Sequence, residues 1–211
     1  MSCSRIDCGG GTIIRKVVIL TAVTEHTSPW MTLWNRHLSL NVHMSGQCGD
    51  SIRFDCPDEA ATDRLGTRIA KSVVEGVVVE LNGQLGAGKT RLVRAICDGL
   101  GIDAAQVNSP TFVLLQFYTD GRIPVAHFDT YRLGDADEFL AIGADEFTNG
   151  SDWLCLIEWG ERVAEFLPDD RLRISISATS TDARHVGITS TGGVSSALLQ
   201  RIRENMTESD G

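Results

Sequence analysis

Gly83-Gln84-Leu85-Gly86-Ala87-Gly88-Lys89-Thr90 matches G-x-x-x-x-G-K-[ST] at every fixed position, and nothing else in this chain restricts its fold as strongly. Such a loop works only when a strand delivers it and a helix begins at its end, so that successive backbone N–H groups converge on one anion. Both flanks read that way. The valine-rich run Val77–Leu81 predicts a buried central strand. Leu92, Val93 and Ile96 give residues 89–100 a helical apolar face, closed by Gly99 or Gly101. Lys89 offers a cation to β- and γ-phosphates, and Thr90 a hydroxyl to a magnesium ion that keeps several of its waters. The expectation is a nucleoside-triphosphate site.

The remaining pattern extends this unit. Ser51–Asp55 reads as a short strand, and Pro57-Asp58-Glu59 opens a helix whose apolar face is Ala61, Leu65, Ile69 and Val73. Thr111–Tyr118 and Arg122–Asp129 predict two strands joined at Asp120-Gly121. Asp135–Phe147 reads as an acidic helix, and Trp153–Ile157 as a buried strand ending at Glu158-Trp159. Arg171–Ser177 and His185–Thr189 alternate as a half-exposed antiparallel pair, and Ser195–Met206 is amphipathic. The order predicts an α/β, three-layer P-loop NTPase-type fold with a mixed central sheet.

Residues 1–45 show no sustained periodicity. They read as a poorly ordered N-terminal extension ahead of a domain at 46–211, with Met44 the expected translation start. Arg15-Lys16 before Val17–Val23 imitates a signal peptide, but the apolar run is short and Glu25-His26 stands where a cleavage site belongs. The net charge of -9 and pI near 5.0 argue against a surface that grips DNA or RNA unaided. Cys3, Cys8, Cys48, Cys56, Cys97 and Cys155 contain no C-x-x-C pair, a usage that fits a reducing cytoplasm. No apolar run reaches the length of a membrane span.

A P-loop site also needs a carboxylate near magnesium and a group that orients water. Glu158 and Asp129 are the candidates, because each closes an apolar run predicted as a strand, and ligands gather at strand C-termini in open α/β sheets. The sequence does not divide the two roles. Trp159 reads more readily as core cover than as a nucleotide stack, His127 as structural, and Tyr131-Arg132 as surface. No N-K-x-D follows to support guanine, and no arginine-rich lid marks a small-molecule kinase. That kinase, and a nucleotide-binding module without hydrolysis, stand as alternatives to an accessory ATPase. Without an evident arginine finger, intrinsic hydrolysis is expected to be slow.

The series GQLGAGKT at 83–90, SPTF at 109–112, HFDTYRL at 127–133 and EW at 158–159 resembles the TsaE family over roughly residues 50–190. That resemblance implies a cytoplasmic ATPase using ATP and Mg2+ in threonylcarbamoyladenosine formation at tRNA position 37. It implies protein partners of the TsaB–TsaD type, with tRNA met only through them and no membrane or DNA. It makes Lys89, Glu158 and Asp129 catalytic, and Thr90, Glu158 and Asp129 the metal-linked set. Nucleotide contacts are expected from Gly83, Gln84, Leu85, Gly86, Ala87, Gly88, Lys89, Thr90 and Arg91. By the same resemblance Trp159 lies near the nucleotide, Thr111 on a switch-like loop and Thr62 near the base.

Overall fold

A computed structural model describes residues 40–41, 50–134, 137–150 and 152–207 of the chain. The expectation for residues 1–45 lies outside them except at Leu40–Asn41. The elements run β1 (Leu40–Asn41), β2 (Ser51–Cys56), α1 (Glu59–Ser72), β3 (Val78–Asn82), α2 (Lys89–Gly99), β4 (Leu115–Tyr118) and β5 (Val125–Asp129). They continue with α3 (Asp137–Ala141), α4 (Asp145–Thr148), β6 (Leu154–Glu158), β7 (Leu172–Ala178), β8 (Arg184–Ser190) and α5 (Gly193–Thr207).

These eight strands form one sheet in the order β1-β2-β8-β7-β3-β6-β5-β4. The central four, β7-β3-β6-β5, are parallel, and both flanks are antiparallel, so the sheet is mixed as expected. Alternation along each strand divides the core between the two faces. Val79, Leu81, Leu154 and Leu156 join α1, α2 and α5 on one side. Val78, Ala126, Phe128, Cys155 and Ile157 meet Phe139 of α3 and Ala144 on the other, which completes three layers. Burial pushes the thiols of Cys97 and Cys155 up to about 12, leaving them as protonated packing groups.

Helix α1 is capped by Asp58, whose Oδ1 accepts the Ala61 N–H at 2.7 Å; Pro57 precedes the cap. Three expectations are corrected. Thr111–Val113 turn before the strand begins at Leu115, and the β4–β5 connection spans 119–124 instead of a two-residue turn. Arg122 is drawn out of that hairpin because its guanidinium donates to the carbonyls of Val73 and Ala70 at 2.7 Å each, closing the C-terminus of α1. The acidic segment is two short helices, broken at Gly143 with φ +75.

Candidate functional site

The loop at 83–90 leaves β3 at its C-terminal end and enters α2 through Gly88, whose φ of 106 is left-handed. No described side chain caps this helix, in contrast to α1, so its first N–H groups stay available to an external acceptor. Gly83 has no room for a side chain, since a Cβ there would lie 2.4 Å from the Ile176 carbonyl oxygen. Arg184 donates from Nε to the Ala87 carbonyl at 2.8 Å and ties the loop to β8. Leu85 projects from the loop's tip, 77% exposed.

Lys89 folds back under the loop, its Nζ donating to the carbonyls of Gly83 at 2.7 Å and Gln84 at 3.1 Å. The same ammonium lies 3.5 Å from the ring centroid of Trp159, a cation–π contact. Burial pulls the Lys89 pKa below the ordinary lysine value, and the charges of Glu158, Glu161 and Asp129 oppose that shift. The result is a cation held close to where α2 presents its free amides.

The two predicted acids arrive together. Asp129 and Glu158 end the parallel strands β5 and β6 and are partners in register. Period-two alternation places Val125, His127 and Asp129 on one side of β5, and Leu154, Leu156 and Glu158 on the matching side of β6, that of α2. Glu158, 2% exposed, accepts the Thr90 hydroxyl on Oε2 at 3.0 Å, joining the start of α2 to the end of β6. Asp129, equally buried, accepts the Ser109 hydroxyl at 2.5 Å and the Thr111 hydroxyl at 2.6 Å on Oδ2, and the Tyr131 N–H at 3.0 Å on Oδ1.

Trp159 takes a left-handed conformation, φ 60 and ψ 34, unusual for an aromatic residue. It is held by its N–H on the Leu81 carbonyl at 2.9 Å and by the Thr130 hydroxyl on its own carbonyl at 2.8 Å. Tyr131 packs against its ring with centroids 4.9 Å apart. The pair therefore stands beside the loop with Lys89 between ring and carbonyls.

Lys89, Thr90, Asp129, Glu158, Trp159 and Thr111 are thus gathered at one sheet edge. Arg91 and Thr62 belong to the flank. Arg91 forms a two-point pair with Asp63 at 2.8 and 2.5 Å and reaches Glu59 at 2.5 Å, clamping α2 to α1. Thr62 is 2% exposed and lies on the buried face of α1. Two participants do not announce themselves in the sequence. His127, read as structural, bonds Glu158, and Ser109 shares the Asp129 carboxylate with Thr111. Only the spacing H-x-D on a strand could have hinted at the first, since it puts both residues on one face. A cavity of about 570 Å³ also opens beside Asn82 and Gly83, lined by Arg53, Asp55, Ser175 and His185, but Lys89, Thr90, Asp129 and Glu158 do not line it.

Known proteins share this architecture. Residues 56–186 match the family described as Threonylcarbamoyl adenosine biosynthesis protein TsaE. A Treponema pallidum protein named tRNA threonylcarbamoyladenosine biosynthesis protein TsaE is 42% identical over 135 residues, 63% of this chain and 98% of that relative. The Bacillus subtilis protein of the same name is 40% identical over 147 residues, 69% of this chain and 89% of its own length. The crystal structure of Bacillus subtilis YdiB superposes with a TM-score of 0.63 at 28% identity, covering 75% of this chain and 97% of the other.

Proposed function

This chain belongs to the TsaE family, a family of tRNA threonylcarbamoyladenosine biosynthesis, and we propose that it is the pathway's magnesium-dependent ATPase. One observation carries the reading. The hydroxyl of Thr90 at the uncapped start of α2 meets Glu158 at the end of β6, with Asp129 its partner in register on β5. This brings an anion-binding helix start, a lysine and two carboxylates within one small volume, as phosphoryl transfer requires.

The chemistry follows from the groups present. The β- and γ-phosphates lie along the amides of residues 84–90, and Lys89 leaves the carbonyls of Gly83 and Gln84 to meet them. A magnesium ion would fit the donor set, because hydroxyl and carboxylate oxygens suit it and it would keep waters of its own. Among the described residues no group of three acidic, thiol or imidazole side chains forms a cage of its own. Thr90, Glu158 and Asp129 would hold the ion, which when bound neutralises charge on the transferring phosphoryl group. Water attacks the γ-phosphorus, the bond to the β–γ bridging oxygen breaks, and ADP and inorganic phosphate leave, one proton of the water staying on the phosphate and the other passing to solvent. Lys89 and the loop amides stabilise the equatorial oxygens as that charge spreads.

Thr90 on Glu158 favours Glu158 as the metal-side acid. Ser109 and Thr111 on Asp129 favour Asp129 as the acid that couples the 109–113 segment to nucleotide state. Trp159 lies near the nucleotide, and Thr62, beside the Asp63–Arg91 pair, marks the α1 flank proposed for the base. The partners are of the TsaB–TsaD type, and the net charge of -9 supports leaving the tRNA to them. No helix among the described residues is long and apolar enough to cross a membrane, and the proposed location is the cytoplasm.

The test is equilibrium binding of an ATP analogue together with ATP hydrolysis, for wild type, Lys89→Ala and Glu158→Ala. The reading expects weak affinity in Lys89→Ala and retained binding with hydrolysis reduced about 100-fold or more in Glu158→Ala. Unchanged hydrolysis in both variants would remove it.

A further inference from the structure

A carboxylate that serves a bound ion has to be held in one orientation, and Glu158 is held from two sides. Its Oε2 accepts the Thr90 hydroxyl, and its Oε1 faces Nε2 of His127 at 3.0 Å. His127 has no exposed surface and stands on β5 two residues before Asp129, facing the same way. An ionised carboxylate only accepts, so in the neutral imidazole the proton sits on Nε2 and donates to Oε1. The other ring nitrogen, Nδ1, is buried without a hydrogen-bond partner among the described residues.

That unmatched atom separates two accounts of the residue. A histidine kept for packing costs the core an unpaired polar atom that a leucine would not. What the imidazole provides in exchange is its hydrogen bond to the acid at the loop. Ordered partners of a metal-binding carboxylate fix its orientation and tune its affinity.

We infer that His127 is a positioning residue that fixes Oε1 of Glu158 and so aims Oε2 at Thr90 and the ion bound there. This rests on the role of Glu158 proposed above. Without the imidazole the carboxylate keeps one anchor and can turn toward Lys89, whose charge it already feels. The loss falls on the magnesium-dependent part of nucleotide binding, while the loop's own hold on phosphate is unaffected.

The test titrates a fluorescent, non-hydrolysable ATP analogue against the full chain, with Mg2+ and with EDTA, for wild type, His127→Leu and His127→Gln. Thermal melts of each variant accompany the titrations. In EDTA all three proteins bind within about twofold of one another. With Mg2+ the wild type binds more tightly, His127→Leu loses about 10-fold or more of that enhancement, and His127→Gln recovers most of it through its amide N–H. A leucine variant with the full enhancement overturns the inference. So does a glutamine variant that lacks it while melting like wild type. If His127→Leu does not fold, the glutamine variant decides alone. A wild type that binds no nucleotide, or binds no better with Mg2+, removes the proposed function and this inference with it.

Discussion

Replacing Glu80 by glutamine should destabilise this protein by about 3–5 kcal/mol, because it strands a buried arginine. Glu80 lies in the middle of β3, just before the phosphate loop, and is 3% exposed. Its Oε2 accepts Arg171 Nε at 2.6 Å and Arg173 Nε at 3.0 Å, and its Oε1 accepts Asn82 Nδ2 at 2.7 Å. The arginines are not equivalent, since their side chains are 5% and 47% exposed. Arg173 can turn to water, and Arg173→Ala should cost no more than about 1 kcal/mol. Arg171 cannot, and would keep the part-buried Pro168 carbonyl at 2.7 Å as an anchor. For a chain of this size the Glu80→Gln loss corresponds to a fall in Tm of roughly 6–20 °C. Removing both charges, as Glu80→Leu with Arg171→Met, should recover most of the loss. Urea and thermal unfolding followed by circular dichroism measure all four proteins. A Glu80→Gln loss under about 1 kcal/mol, or a double variant no better than the single one, would refute the reasoning.

Burial pulls the Glu80 pKa up, but the hydrogen bonds from Asn82 and Arg171 outweigh it and the net shift is downward from 4.5. A folded pKa below the unfolded one contributes stability that is complete above the unfolded value and is lost as pH falls through the folded value. Urea midpoints of wild type should therefore fall below about pH 4.5, and Glu80→Gln should flatten that limb; equal slopes in the two proteins would contradict it. Asp58→Ala removes the cap of α1 and should cost about 1 kcal/mol in the same unfolding assay, with no change meaning that the Ala61 N–H finds another acceptor.

The parts of this fold that depend on local pattern were legible in the sequence. Val77–Leu81, Leu154–Ile157 and the loop between Gly83 and Thr90 announce strand, strand and anion site through residue type and spacing alone. The misread elements are those decided by distant partners. Arg122 reads as a strand residue until the open carbonyls of Val73 and Ala70 are nearby, 49 and 52 positions away in sequence. The acidic segment reads as one helix because an interior glycine is tolerable in pattern, but Gly143 takes φ +75 and ends α3, and Phe139 and Ala144 both enter the second core. The same holds at the site. Glu158 and Asp129 could be named from strand ends, but His127 could not be linked to Glu158 without the parallel β5–β6 register. Ser109 likewise acquires a partner only when its loop folds onto Asp129.

The most direct test reconstitutes the modification itself: the chain with a TsaB–TsaD-type pair, tRNA and ATP, counting threonylcarbamoyladenosine formed per transferase complex. Wild type, Lys89→Ala and Glu158→Ala are compared over many turnovers. Wild type should sustain multiple turnover, and either variant should lose it. Sustained turnover with Glu158→Ala, or without this chain, would contradict the claim that its ATP hydrolysis serves the reaction.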